Sequence, residues 1–281
     1  MSQKANQLRD DFRRALSDRP QIEADQSFFT LLEYFCGISK TRFLMDPGQG
    51  LSAECVDRLN KLLARLKEDE PFQYLVGEVN FAGINLKVAP GVLIPRPETE
   101  ELFSIISQEW KSPNHPKIID LGTGSGCLAL ALKKRYPAAQ VWGVDISDKA
   151  LAIARENAAR YALTVNFKKL DLLREVEKLP CDFDLLVSNP PYIARSEQRN
   201  LAKRVKNYEP EEALFAPGDD ALAFYRRIRD YFEKLPGHAE GYLEINAVYA
   251  EQSKALFAEV ASETRIIKDI FKNHRFLRVQ K

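Results

Sequence analysis

The chain has 281 residues, of which 45% are hydrophobic and 29% charged, a composition that supports packed cores and argues against long disordered segments. This length predicts two domains of unequal size. Lysine and arginine total 41 against 40 aspartate and glutamate, so the net charge of +1 offers no general attraction to nucleic acid or to an anionic membrane.

Residues 1–71 have the pattern of a small helical domain. Apolar residues recur there at helical intervals: Leu8, Phe12, Leu16, Val56, Leu59, Leu62 and Leu63. Pro20 and the sequence PGQG at 47–50 separate the helices, and Ser52 is placed to cap the last one. The first residues mix charges where a signal peptide has an apolar run, and no later run approaches about 18 apolar residues, so we expect a cytoplasmic protein.

Cysteine and histidine are scarce and scattered. The cysteines form no C-x-x-C pair, and no histidine stands near an obvious nucleophile, so we expect neither a metal site nor Ser-His-Asp or Cys-His catalysis. We expect small buried thiols and ordinary histidines at these positions: Cys36, Cys55, Cys127, Cys181, His115, His238 and His274.

The middle of the chain changes from helical to strand patterns. Residues 72–94 alternate aromatic and β-branched residues with glycines, which predicts a β-hairpin connector, and PRPETEELFSII then begins a new helix. After Pro116, strands alternate with helices, the pattern of a mostly parallel sheet covered on both faces. We predict strands at 117–121, 140–145, 165–169, 183–188 and 241–245, helices at 126–136, 147–161, 220–233 and 248–261, and a final hairpin from TRIIKDIF and RFLRVQ.

The sequence IIDLGTGSGCLALAL predicts a ligand loop between the first of these strands and a helix. Gly122, Gly124 and Gly126 allow a ligand to approach the backbone, and the helix N-terminus favours an anionic group. A dinucleotide fingerprint has its third glycine at the place occupied by Cys127, so G-x-G-x-G favours S-adenosylmethionine over a cofactor that carries a pyrophosphate. The structural alternative is a simple tight turn.

Two further acids end the next two strands. Asp145 follows the glycine loop by about 20 residues, the separation at which a carboxylate reaches ribose hydroxyls in doubly wound folds; the alternative is a helix cap. Asp171 and Leu172 follow the third strand, where we expect a polar and an apolar contact with adenine. A purely structural role remains open for both.

The fourth strand ends in the sequence SNPPY, at the sheet edge where such folds bind ligands. Because prolines lack N–H groups and restrict the preceding residue, the Asn189 and Pro190 carbonyls are held outside the sheet. We expect the Asn189 side-chain oxygen and the Pro190 carbonyl to accept both hydrogens of an NH₂ group while Tyr192 packs on the planar substrate. Amides and exocyclic base amines both fit, and a rigid turn is the structural alternative.

Several segments resemble the release factor glutamine methyltransferases of the PrmC/HemK type. They are PFQYLVGEVNFAGINLKVAPGVLIPRPETEEL, IIDLGTGSGCLALAL, VWGVDIS, SNPPYIA and YEPEEAL, and they extend the likeness over nearly the whole chain. The resemblance implies an α/β fold of the class I S-adenosylmethionine-dependent methyltransferases, with a Rossmann-like seven-stranded sheet and a small N-terminal helical domain joined by a β-hairpin. Leu172 departs from the family pattern, which often has an aromatic residue there.

The resemblance also implies the substrate and the domain roles. The substrate is the side-chain amide of the glutamine in the Gly-Gly-Gln loop of class-1 peptide chain release factors, and the product cofactor is S-adenosylhomocysteine. Residues 1–71 are expected to help dock the release factor, 72–95 to connect, and 96–281 to catalyse, in a monomer that binds no nucleic acid or membrane.

The expected site residues fall into three groups. Catalytic roles fall to Asn189, Pro190 and Tyr192. Cofactor binding falls to Asp120, Gly122, Thr123, Gly124, Ser125, Gly126, Asp145, Asp171, Leu172 and Asn189. The glutamine pocket is expected to comprise Leu93, Pro95, Arg96, Asn189, Pro190, Pro191 and Tyr192, although Pro95 and Arg96 also suit a rigid turn before a helix.

Two other functions remain open from the sequence. The first is methylation of an exocyclic amine of adenine or guanine in DNA or RNA, which uses the same N-P-P-Y geometry. The basic stretches RVKNYEP and YRRIRDYF are short, which disfavours that function. The second is a non-catalytic module that recognises ribosome-associated partners, which the intact glycine loop disfavours.

Overall fold

The computed structural model describes residues 3–281, with the side chain of Asn200 excepted. This part of the chain divides into two compact units, one that runs to Gly77 and one from Glu78 to Lys281. None of the helices described in residues 3–281 has both the length and the apolar character needed to cross a bilayer.

The first unit is helical, as the apolar spacing predicts. Its helices are α1 (Ala5–Ala15), α2 (Gln21–Cys36), α3 (Lys40–Met45), α4 (Ala53–Lys67) and α5 (Phe72–Val76). Leu8 and Phe12 of α1 pack with Phe28 of α2 and Leu59 of α4 in one buried core. Ser52 caps α4, as predicted, because its Oγ accepts from the backbone N–H of Cys55 at 3.2 Å.

The prediction of buried thiols is wrong for three of the cysteines, since Cys36 and Cys55 form a disulfide and Cys181 is exposed. Cys36 ends α2 and Cys55 lies in the first turn of α4, and their sulfur atoms form a disulfide with the two Cα atoms 5.7 Å apart. Spacing along the chain cannot reveal such a pair, because a disulfide requires only that the two Cα atoms lie close in space. Cys127 and Cys181 are free.

The predicted hairpin connector is shorter than residues 72–94. Its strands are β1 (Glu78–Phe81) and β2 (Ile84–Lys87), which pair in antiparallel register. Phe72–Val76 is helix α5 instead, because Pro71 suits the start of a helix and Gly77, with φ of +80°, ends it. Leu75 of this helix is buried in the core of the first unit.

The second unit contains, within its described residues, a seven-stranded sheet. The strands are β3 (Lys117–Leu121), β4 (Gln140–Asp145), β5 (Asn166–Lys169), β6 (Leu185–Ser188), β7 (Glu240–Glu244), β8 (Glu263–Lys268) and β9 (His274–Gln280). The order is β5-β4-β3-β6-β7-β9-β8, with β9 antiparallel to both of its neighbours, β7 and β8. The predicted parallel strands and terminal hairpin are confirmed, with the ends of the parallel strands shifted by at most two residues.

Helices cover both faces of this sheet. They are α6 (Pro97–Glu109), α7 (Cys127–Arg135), α8 (Asp148–Arg160), α9 (Leu172–Glu175), α10 (Lys203–Tyr208), α11 (Glu211–Leu214), α12 (Ala223–Phe232) and α13 (Ala250–Ala258). Successive strand residues enter opposite cores: Ile118 packs on the α6 and α7 side, and Ile119 on the α12 and α13 side. Buried on both faces, these strands are near-continuous apolar runs, which is why the sequence locates them well.

The strand order reverses between β3 and β6, which brings two loops together. From β3 the chain goes on to β4 and β5 on one side, and β6 starts the other side. Leu121 and Ser188 are paired at the ends of β3 and β6. The glycine loop and the SNPPY turn therefore leave the sheet side by side, at the edge where open α/β sheets bind ligands.

Candidate active site

A cavity of about 280 Å³ lies at this edge of the sheet. The ends of β3, β4, β5 and β6 border it, together with the segment before α6. It is lined by most of the residues that the sequence predicts: Leu93, Pro95, Arg96, Asp120, Gly122, Thr123, Gly124, Ser125, Asp145, Asp171, Leu172, Asn189 and Pro191. Gly126, Pro190 and Tyr192 do not line it.

The glycine loop leaves open space on its cavity side. Gly124 has φ of +56°, a conformation that L side chains rarely adopt, and a Cβ there would meet nothing within 4 Å. The next residue, Ser125, is buried, and among the described residues its Oγ has no nitrogen or oxygen partner, with only the Cys127 thiol beside it. A backbone with open space beside it, next to a hydroxyl without a nitrogen or oxygen partner, suits a small polar ligand such as the amino acid part of S-adenosylmethionine.

Asp120, near the end of β3, hydrogen-bonds the glycine loop from inside the protein. Its Oδ2 accepts from Thr123 Oγ1 at 2.6 Å and from the backbone N–H of Ala129 in α7 at 3.2 Å. Burial raises the pKa of Asp120 to about 7, and the nearby charge of Asp145 acts in the same direction. This carboxyl ties the loop to the helix that follows, at an electrostatic cost.

Asp145 links the glycine loop to the next crossover. One carboxylate oxygen accepts from the backbone N–H of Gly124 at 2.8 Å, and the other accepts from that of Ser147 at 2.9 Å. Ser147, and not Asp145, is the N-cap of α8. Burial raises the pKa of Asp145. The carboxylate faces the cavity with acceptor capacity left, which suits ribose hydroxyls.

The end of β5 contributes one polar and one apolar residue. Asp171 caps the short helix α9, since its Oδ1 accepts from the backbone N–H of Leu173 at 2.9 Å. Leu172 is buried in the core beneath the cavity and supplies part of its apolar wall. An aliphatic side chain offers packing for an adenine ring without aromatic stacking.

Asn189 lies on the cavity wall beside the glycine loop. Its Nδ2 donates to Thr99 Oγ1 of α6 at 2.9 Å, so the side-chain oxygen remains available as an acceptor. Its backbone oxygen lies 3.9 Å from the position that a Cβ on Gly122 would occupy, which places the two loops in direct proximity.

Tyr192 and Pro190 stand behind the wall that Asn189 and Pro191 form. The Tyr192 hydroxyl donates to Glu244 Oε1 at 3.0 Å, and its ring packs against the core on the α12 side. Burial and the negative charge of Glu244 raise the pKa of Tyr192, so its hydroxyl stays protonated. Pro190 is buried.

Arg96 borders the cavity, but its charge is already paired. Its guanidinium donates to Glu209 Oε1, and Glu209 Oε2 accepts from the backbone N–H of Ile94 at 3.1 Å. Glu209 is only 5% exposed. The pair therefore fixes the segment of Leu93 and Pro95 against the segment before α11, which makes one side of the cavity rigid.

Reasoning from the sequence misses Thr99, which lines the cavity, and Glu209 and Glu244, which contact site residues from behind it. It also misses apolar lining residues such as Ile146, Phe215 and Phe224. Thr99 stands inside the PRPETE segment and Glu209 inside YEPEEAL, where the motifs assign neither residue a role. Glu244 ends β7, so the reasoning that selects Asp145 at the end of β4 also applies to Glu244. An acid at the carboxyl end of a parallel strand is the signal that could have found it.

Comparisons with solved structures relate the fold to methyltransferases. A methyltransferase from Pyrococcus furiosus has a TM-score of 0.52 at 16% identity, over 71% of this chain and 89% of that chain. A T. thermophilus 16S rRNA N2 G1207 methyltransferase, in complex with AdoMet and guanosine, has a TM-score of 0.51 at 20% identity. The match covers 73% of this chain and 49% of that chain. At such identities the likeness concerns the fold. The family model described as "Methyltransferase small domain" matches residues 99–218.

Fold and site define a Rossmann-like α/β methyltransferase that uses S-adenosylmethionine as methyl donor. The model described as "PrmC N-terminal domain" matches residues 6–77. Proteins named release factor glutamine methyltransferase are 42% identical in Bacteroides thetaiotaomicron, over 81% of this chain and 82% of the relative, and 37% identical in Flavobacterium psychrophilum, over 94% of both. The chain belongs to the release factor glutamine methyltransferase family.

Proposed function

We propose that this protein transfers the methyl group of S-adenosylmethionine to the side-chain amide nitrogen of the glutamine in the Gly-Gly-Gln loop of class-1 peptide chain release factors. The family membership supports this activity, since the relatives that match most of the chain carry this name. S-adenosylhomocysteine is the second product.

The observation that best supports the proposal is the hydrogen bonding of the Asn189 side-chain amide. Its NH₂ group donates to Thr99, so its oxygen is available to a ligand in the cavity, which the glycine loop also borders. A primary amide presents two N–H donors and a nitrogen weakened by resonance. An acceptor held in a fixed direction suits such a donor, and a second amide donor does not.

The residues of the chain divide into two groups around the cavity. We propose that the loop Gly122–Gly126, Asp120, Asp145, Asp171 and Leu172 hold the cofactor, which supplies a methyl group activated by a sulfonium. Asn189 Oδ1 accepts one N–H of the glutamine, the Pro190 carbonyl accepts the other, and the Tyr192 ring packs on the planar amide, as predicted from the sequence. Leu93, Pro95, Arg96 and Pro191 complete the glutamine pocket.

Positioning is the main contribution of this arrangement. Fixing the amide in line with the methyl carbon replaces a bimolecular encounter, an effect worth about 7–11 kcal/mol in well-aligned systems. Acceptors for the amide hydrogens also draw electron density toward nitrogen as the new bond forms. The nitrogen loses one proton on methylation, and solvent takes it up.

We propose further that residues 1–71 help dock the release factor, that residues 72–95 connect this domain to the catalytic domain, and that residues 96–281 catalyse the methyl transfer. A protein substrate explains why a reaction at one amide needs a second unit. We also propose that the enzyme acts as a monomer in the cytoplasm, where translation factors are found, and binds no nucleic acid directly. Methylation of a nucleic acid base is not favoured, because the relatives at 37–42% identity are named for release factors.

The test is methyl transfer from labelled S-adenosylmethionine to a purified release factor, beside the same release factor with the loop glutamine changed to alanine, and beside DNA and RNA. We expect label only in the unaltered release factor. Transfer confined to nucleic acid would overturn the proposal.

The substitution Asn189→Ala tests the proposed role of Asn189 in methyl transfer. We expect turnover to fall at least about a hundredfold, the loss typical of removing one preorganised group from an active site. The cofactor Kd in calorimetry should stay largely intact, because the glycine loop and Asp145 provide most of the proposed cofactor contacts. The matched control is Asn80→Ala, since Asn80 is exposed on the β1–β2 hairpin. Near-normal turnover of Asn189→Ala would reject the role of Asn189.

A further inference from the structure

We propose that Glu244 is a positioning residue which, through the Thr99 hydroxyl, sets the direction in which the Asn189 amide faces, and which anchors Tyr192 with its other oxygen. This inference rests on the proposed function and adds the means by which the substrate acceptor is oriented. It assigns roles to two side chains that the sequence motifs leave without one.

The contacts form one continuous chain of hydrogen bonds. Asn189 Nδ2 donates to Thr99 Oγ1 at 2.9 Å, and Thr99 Oγ1 donates to Glu244 Oε2 at 2.8 Å. On the other carboxylate oxygen, Tyr192 donates to Glu244 Oε1 at 3.0 Å. Thr99 is 3% exposed and Glu244 2% exposed, so water does not compete for these groups.

The polarity of this chain follows from proton counting. An ionised carboxylate can only accept, so the single proton of the Thr99 hydroxyl is used toward Glu244. The Thr99 oxygen can then only accept from Asn189, which must present its NH₂ group. The Asn189 oxygen is thereby turned away from Thr99 and toward the cavity. Reversing the amide would direct its NH₂ group at the NH₂ group of the glutamine, where two donors meet.

The contacts of Glu244 are those of an acceptor-only carboxylate, since the Thr99 hydroxyl donates to one of its oxygens and the Tyr192 hydroxyl to the other. Burial raises the pKa of Glu244 overall, and the two hydroxyls and the positive charge of Arg275 offset part of that effect. The carboxylate also joins three parts of the fold, since Glu244 ends β7, Thr99 lies in the first turn of α6, and Asn189 and Tyr192 follow β6. One buried group therefore fixes both ends of the SNPPY turn.

The first test replaces Thr99 by valine, which keeps the shape and removes the hydroxyl, and by serine, which restores it. We expect kcat on a release factor to fall about ten- to a hundredfold in Thr99→Val, the range for leaving one buried polar group unpaired, with cofactor Kd unchanged. The kcat of Thr99→Ser should lie within about threefold of that of the unaltered enzyme. Thr164→Val, at an exposed position, is the control.

The second test reads orientation directly. A release factor with glutamate in place of the loop glutamine presents acceptors, so it should inhibit the unaltered enzyme weakly and Thr99→Val more strongly, because only the variant can turn its Asn189 NH₂ group to the cavity. A merely structural loss would weaken binding of both release factors. The inference would be overturned if Thr99→Val bound the glutamine and glutamate release factors equally more weakly than the unaltered enzyme does. It would also be overturned if Thr99→Ser failed to recover kcat.

The third test needs no substrate. The side-chain NH₂ signal of Asn189 in a ¹H–¹⁵N spectrum, assigned with Asn189→Ala, should move in Thr99→Val and Glu244→Gln and stay in place in Thr99→Ser. Unmoved signals in Thr99→Val and Glu244→Gln, or a signal displaced as far in Thr99→Ser as in Thr99→Val, would contradict the inference. If the unaltered enzyme transfers no methyl group to any release factor, the proposed function fails, while the spectrum still decides on the orienting role.

Discussion

Replacing Asp120 by asparagine should stabilise the second unit, Glu78–Lys281, by an amount that grows with pH. Burial raises the pKa of this carboxyl from 3.8 to about 7 in the folded protein. An acid whose pKa is higher in the folded state than in the unfolded chain destabilises the fold as pH rises from about 4, and the full cost is present above about pH 7. Each pKa unit corresponds to about 1.4 kcal/mol, so the rise from 3.8 to about 7 destabilises the folded state by at most about 4 kcal/mol.

Asparagine has nearly the same shape, and its oxygen can accept from Thr123 or Ala129, but it carries no charge. The free energy of unfolding of Asp120→Asn minus that of the unaltered protein should therefore increase by about 3 kcal/mol between about pH 5 and pH 8. Urea unfolding followed by tryptophan fluorescence measures this difference, because both tryptophans, Trp110 and Trp142, belong to the second unit. A difference that does not change with pH would refute the reasoning.

Two further substitutions test the packing beside the glycine loop and the proposed cofactor contact of Asp145. Gly143→Ala places a Cβ 2.8 Å from both the Phe167 ring and Thr123 Oγ1, so we expect a loss of about 1–3 kcal/mol in stability; an unchanged Tm by calorimetry would contradict it. Asp145→Ala removes the acceptor that the Gly124 and Ser147 N–H groups share, so the Kd for S-adenosylmethionine in titration calorimetry should increase at least about tenfold, and an unaltered Kd would exclude Asp145 from cofactor binding.

The sheet was predictable because its strands are buried on both faces. Residues 117–121 and 140–145 are found as strands at the predicted bounds, since apolar runs between turn residues specify such elements well. Loops that leave the carboxyl ends of parallel strands meet at one edge, so the glycine loop, Asp145 and Asn189 could be placed together from the order of the strands along the chain.

Contacts between distant segments were not predictable in the same way. Thr99 and Glu244 are separated by 145 positions, and Arg96 and Glu209 by 113, so no local period relates them. The disulfide between Cys36 and Cys55 likewise depends on how α2 and α4 pack. Phe72–Val76 has strand-forming residues but is a helix, because Pro71 and Gly77 define its ends and Leu75 packs into the helical core.

The most direct measurement is mass spectrometry of a release factor after incubation with the enzyme and S-adenosylmethionine, with the loop peptide fragmented to locate the modification. We expect a mass gain of one methyl group on the side chain of the Gly-Gly-Gln glutamine, and no such gain with Asn189→Ala. A methyl group on any other residue, or none on a release factor that the enzyme binds, would contradict it.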